Sequence, residues 1–222
     1  MKKINLIILA FLVGSLLVNA KEMTAVREDG KTVILNQDGS WKLKKMETRP
    51  QNAQEFHFRK SRWGFTKRKV LLSEPEEPIH EKDDVVAYEG QIAGLDVWIV
   101  YIFVDDKLVR SKYVVVEKHT NANDFISDYE KLKSGLTRKY GEPDKDQNYW
   151  KNDLYKDNYD QWGMALKVGH LVYIASWNTD ETDIGILLNG ENYDISLAVE
   201  YTSTALESLE NKKNEESTMN AL

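Results

Sequence analysis

Residues Leu95–Val104 form the most restrictive stretch of the chain. Leu95, Val97, Ile99, Tyr101 and Phe103 alternate with Asp96, Trp98, Val100, Ile102 and Val104, so both faces of a strand are apolar apart from one acid. β-branched and aromatic residues in such a run point to a strand. A strand apolar on both sides is central and covered twice, or it turns one face to a partner. Val85–Ile92 precedes it, and a strand over 108–116 follows after the turn Asp105-Asp106-Lys107. Such short connections make the group antiparallel.

Helical spacing brackets these strands. Thr66 caps a short predicted helix with Val70 and Leu71 on its buried side, and Glu74-Pro75 stops it. Phe125, Tyr129, Leu132, Leu136 and Tyr140 recur along one face of a longer helix over 122–140. Asn121 or Asn123 caps its start, and Gly141 with Pro143 ends it. Gly135 lies inside it, which a close helix–sheet approach would explain. A second short helix is expected over 159–167, then strands over 171–177, 184–188 and 193–201, with Asn189-Gly190 as a hairpin turn. In the last strand Tyr193, Ile195, Leu197, Val199 and Tyr201 face inward. The order helix–βββ, helix–βββ suggests a duplicated unit over 62–118 and 121–202. The expected class is α+β, with antiparallel sheet packed by helices on one face.

The N-terminal segment reads differently. Lys2 and Lys3 precede an apolar run over residues 6–18, and Val18-Asn19-Ala20 resembles a cleavage site. That is the layout of a secretory signal peptide cut after Ala20, of a bacterial kind. The run is short for crossing a bilayer, which takes about 20 apolar residues. Two Asp-Gly turns, Asp29-Gly30 and Asp38-Gly39, flank Thr32–Leu35 and predict a β-hairpin or small meander. The expected division is 1–20 signal peptide, 21–54 hairpin and linker, 55–205 globular domain, and 206–222 a polar disordered tail. A chain without the first twenty residues carries 28 basic and 36 acidic residues, a net charge of −8. The expected location is periplasmic or extracellular, with no transmembrane segment after residue 20.

The chain has no cysteine, which excludes disulfides, Cys-ligated zinc, thiol catalysis and a lipid-anchored N-terminal cysteine. Its four histidines, His57, His80, His119 and His170, show no metal spacing. The expected complement of cofactors and metals is none. No nucleophile-elbow serine motif, Ser-x-x-Lys or phosphate-binding loop occurs after residue 20. Asp144-x-Asp146-x-Asn148 resembles the opening of a calcium loop, but Tyr149 replaces the bend glycine and Tyr155 the bidentate glutamate. An exported acidic protein is a poor binder of nucleic acid.

Two surfaces remain as candidates. Tyr149, Trp150, Tyr155, Tyr159 and Trp162 lie among Asp, Asn and Lys, a composition suited either to stacking on sugars and proteins or to closing a sheet end. Arg59, Lys60, Arg62, Lys67, Arg68 and Lys69 form a basic island with no acid between them, followed by six acids between Glu74 and Asp84. Such an island meets anionic headgroups, wall polymers or an acidic partner, or else its own counter-charges.

Asp29-Gly30 through Trp41, with its Asp-Gly-x-x-Val-x-Leu-x-x-Asp-Gly-Ser-Trp pattern, resembles a hairpin of bacterial secreted proteins of uncharacterised role. Trp63-Gly64-Phe65-Thr66 leading to Val70 and a hairpin sheet is similar to small envelope domains such as the lipoprotein of the barrel-assembly machine and the β-lactamase inhibitory protein. The chain departs from them in lacking a lipobox cysteine and in placing Ser73-Glu74-Pro75 at a common glycine-proline step. The resemblance implies helix-plus-antiparallel-sheet units that bind other proteins. The expected function is an exported soluble binding protein of the bacterial envelope, its partner an envelope protein or glycan. The competing expectation is a secreted hydrolase of wall or polysaccharide substrates with paired carboxylates.

Overall fold

The computed structural model describes residues 23–26, 32–35, 40–43 and 56–221. The expected signal peptide, the linker and both N-terminal Asp-Gly turns lie outside the described residues. The chain divides into two units, residues 1–54 and 55–222.

The first unit contains an antiparallel three-stranded sheet of β1 (Met23–Val26), β2 (Thr32–Leu35) and β3 (Trp41–Leu43), in that order. Ala25, Val33 and Leu43 share one register row, and Val33 is buried.

The second unit is built on one eight-stranded antiparallel sheet and is α+β, as the patterning predicts. Helix α1 (Lys67–Ser73) leads into β4 (His80–Glu81), β5 (Val85–Ile92), β6 (Leu95–Val104) and β7 (Lys107–Val115). Helix α2 (Asp124–Tyr140) leads into β8 (Lys145–Trp150), β9 (Leu171–Asn178), β10 (Thr182–Glu191) and β11 (Asp194–Ser203), with α3 (Trp162–Lys167) between β8 and β9. The sheet order is β4-β5-β6-β7-β11-β10-β9-β8, so the two helix–ββββ halves meet at an antiparallel β7–β11 pair and run outward in opposite directions.

Three two-residue turns have both central residues at positive φ: Ala93-Gly94, Asp105-Asp106 and Asn192-Tyr193. That conformation matches the twist of adjacent strands. The third corrects an expectation. Asn189-Gly190 is not the turn but lies inside β10, and Tyr193 is an exposed turn residue rather than an inward one. Gly190 serves packing, because a Cβ there would lie 2.2 Å from the Leu166 carbonyl oxygen. Gly135 shows the reverse. A Cβ added there meets nothing within 4 Å, so no close approach accounts for it.

Helices α1, α2 and α3 cover one sheet face. Val70, Tyr129, Leu132, Leu136 and Leu166 pack with Tyr101, Trp177, Ile186 and Leu197 in one core. Thr66 accepts from the Lys69 amide and caps α1, as expected. Asn123 makes no cap hydrogen bond to α2. Its side chain instead accepts from the Gly163 amide and donates to the Tyr159 carbonyl, tying α2 to α3.

Two segments differ from expectation. Residues 145–150 form β8, where the sequence patterning predicts no element, because pairing with β9 and not side-chain pattern fixes an edge strand. The tail expected to be disordered is helical over Glu207–Ala221 (α4), where acids at Glu207 and Glu210 suit a helix N-terminus. Glu210 anchors α4 by accepting from both Nε (3.3 Å) and Nη2 (3.0 Å) of Arg110. Among the described residues no helix is long and apolar enough to cross a membrane.

Candidate binding surface

Strand alternation assigns every residue of the sheet to a face. The helix-covered face carries Val97, Ile99 and Tyr101 of β6 and their neighbours. The opposite face is framed by α4 at one end, through Arg110 and Glu210, and lacks a helical cover elsewhere among the described residues.

One register row on this open face is apolar over five strands. Trp98 of β6 stands opposite Val114 of β7, Val114 opposite Ala198 of β11, Ala198 opposite Leu187 of β10, and Leu187 opposite Ile174 of β9. Strands lie about 4.8 Å apart, so the row is roughly 19 Å long. Trp98 is 46 % exposed and Leu187 41 %; the other three are half-buried. Val100 and Ile102 extend the apolar surface along β6. The second apolar face of β6 is thus only partly covered: Trp98 is exposed, Val100 and Ile102 are half-buried, and Val104 is buried.

Charges on the open face fall into two groups. At the centre, Glu200 accepts from Arg110 (3.0 Å) and pairs with Lys112 (2.5 Å), and Glu210 takes the rest of Arg110, a network of two cations and two acids. Around Trp98 the acids make no ion pair among the described residues. Glu89 stands directly across from Trp98, Gln91 donates to Asp96 (2.6 Å), and Glu117 accepts from the Asp96 amide (2.7 Å). A groove of about 400 Å³ opens at this corner between Glu76, Glu89, Asp96 and Trp98.

The five aromatic candidates separate. Tyr149 and Trp150 are neighbours on β8 and point to opposite faces. Tyr149 is 42 % exposed on the open face, opposite Val172, with Lys145 Nζ 5.3 Å from its ring centre. Trp150 packs edge-on against Trp162 (5.4 Å), and Trp162 against Tyr159 (5.0 Å). Trp162 also donates from Nε1 to the Lys156 carbonyl. Tyr155 stacks on His170 at 5.8 Å. Trp150, Tyr155 and Trp162 rest on the core, while Tyr159 is exposed. Four of the rings thus close the sheet end, and only Tyr149 joins the open face.

The basic island is divided as well. Arg59 donates from Nε and Nη2 to the two oxygens of Glu74, both at 2.9 Å. Tyr101 donates its hydroxyl to the same carboxylate, which is buried at the C-cap of α1. The hydrogen bond to Glu74 raises the Arg59 guanidinium pKa further, and burial first, then Glu74, raises Tyr101 well above an ordinary phenol. Lys67 pairs with Glu81 (3.5 Å), and Lys69 lies 5.3 Å over the Phe65 ring. Lys60, Arg62 and Arg68 make no ion pair among the described residues.

Sequence reasoning missed two histidine contacts. His119 Nε2 lies 2.6 Å from Asp128 on α2. His57 Nδ1 accepts from the Trp63 amide while Nε2 faces Glu181 at 3.0 Å, which fixes the neutral tautomer with its proton on Nε2. The calcium-like acids have structural partners. Asp144 accepts from the Asn178 amide and Asp146 pairs with Lys133. No group of three or more His, Asp or Glu placed to hold a metal ion occurs among the described residues.

Comparison with protein-family models, with curated proteins and with solved structures finds no match.

Proposed function

We propose that this chain is an exported soluble binding protein of the bacterial envelope, and that the open face of the eight-stranded sheet is its recognition surface. The observation that carries the reading is the exposed row Trp98–Val114–Ala198–Leu187–Ile174. Contiguous apolar area of this kind on a water-facing sheet marks interaction sites in soluble proteins. Large aromatic and aliphatic anchors at the centre of a surface supply most of the energy in protein recognition. Export rests on the N-terminal pattern of Lys2, Lys3, the apolar run and Ala20.

The partner is a macromolecule with a flat matching surface, since the row lies on a sheet and not in a deep pocket. Tyr149 widens the face at the β8 edge. The sheet-end rings Trp150, Tyr155 and Trp162 support the surface from behind.

The test is partner capture from the native envelope by the wild-type chain and by Trp98→Ser/Leu187→Ser. The double variant melts within a few degrees of wild type and loses the captured protein. Retention of that protein by a folded double variant would refute the assignment.

A further inference from the structure

We infer that the open face takes a basic amphipathic segment of a partner protein, its apolar side chains on the row and its Lys or Arg side chains at the Trp98 corner. This deepens the reading of the open face as a binding surface and rests on it. Charge complementarity selects the partner. Arg110 and Lys112 are spent on Glu200 and Glu210, so the centre of the face is electrically closed. Glu89 and Asp96 have no cation partner among the described residues, and both lie on the strands that carry and flank Trp98. Glu76 adds a third carboxylate to the groove beside the indole. Farther along the face, Asp183 and Asp194 are likewise without an ion pair among the described residues.

An indole face beside carboxylates is the environment that holds a Lys or Arg head: the ring quadrupole attracts the cation and the acids neutralise it. The same acids repel anionic headgroups and anionic wall polymers. That favours a protein over a membrane at this surface. The row of roughly 19 Å matches a helix of about fourteen residues, which spans about 21 Å.

The probe is a fourteen-residue Leu/Lys peptide with its leucines at helical spacing, against a twin with Glu at every Lys position. Binding to the full chain is read by calorimetry and by the Trp98 indole ¹H–¹⁵N signal. The Lys peptide is expected to bind at least tenfold more tightly than the Glu twin, and to weaken with added salt. Trp98→Ser, and separately Glu89→Gln/Asp96→Asn, lower its affinity at least tenfold, while Tyr159→Ser leaves it unchanged. All variants are checked for an unaltered melting profile; Leu187→Ser replaces Trp98→Ser, and Glu89→Gln alone replaces the acid pair, if either fails it. If the Glu twin binds as tightly and still depends on Trp98, the basic partner is refuted and the binding face survives. If neither peptide depends on Trp98, the face itself fails.

Discussion

Glu74 shows how much one side chain holds here. Its carboxylate is almost fully buried, receives both arms of Arg59 and the Tyr101 hydroxyl, and sits where α1 ends. Read from the sequence, it was a helix stop before Pro75; nothing local said that Arg59, fifteen positions earlier, would pair with it. Removing the carboxylate leaves Arg59 able to reach water but strands the buried Tyr101 hydroxyl, a loss of about 1–3 kcal/mol. Glu74→Ala is therefore expected to lower the urea midpoint clearly while leaving the domain folded. The two glycines give opposite outcomes. Gly135→Ala adds a methyl in open space within a helix and is expected to stabilise by about 1 kcal/mol. Gly190→Ala drives a methyl into the Leu166 backbone and is expected to lose about 3 kcal/mol. Thermal unfolding of the pair separates them, since about 1 kcal/mol moves the midpoint by roughly 2–4 °C at this size.

At the scale of elements, the sequence was most readable where one pattern had one cause. Helix α2 follows its apolar face from Phe125 to Tyr140 and closes at Gly141, whose φ of 93° only glycine adopts easily. Strands β5, β6 and β7 lie within a residue of their predicted ends, because alternation and an Asp-Asp turn agree. Where one residue type serves two purposes, local reading failed. Asn-Gly is a turn signal, yet Gly190 is there for α3, and the turn falls at Asn192-Tyr193. Likewise β8 has no pattern of its own and exists through its register with β9. The aromatic cluster was legible as composition and not as geometry, since alternation sends Tyr149 and Trp150 to opposite sides of the sheet. This separation has a measurable consequence. Trp150→Ala removes a ring packed between Trp162 and the core and is expected to destabilise by about 2–3 kcal/mol. Trp98→Ala, on the open face, changes stability by less than about 1 kcal/mol. Urea unfolding of the two single variants decides it, and equal losses would place Trp98 in the core.

At the scale of the whole molecule, one face of the sheet is a core rich in tyrosine and the other is a surface. Burial raises Tyr101, Tyr113, Tyr129, Tyr173 and Tyr201 above the ordinary phenol value, and pushes Tyr88 up to about 12. In each the folded state keeps its proton after the unfolded state, at about 10, has lost it. Stability from these groups is thus complete below pH about 10 and declines as pH rises beyond it. The phenolate absorbance of these six tyrosines should appear only with alkaline unfolding. Their ionisation in the folded protein near pH about 10 would mean that these rings are accessible. The opposite face carries the functional account. Photocross-linking in the intact envelope tests it most directly, with a photoreactive phenylalanine placed in turn at Trp98, Leu187, Tyr159 and Lys60. The account predicts the same partner adduct from Trp98 and Leu187 and none from Lys60. An adduct from Lys60 or Tyr159, with Trp98 and Leu187 silent, would contradict it.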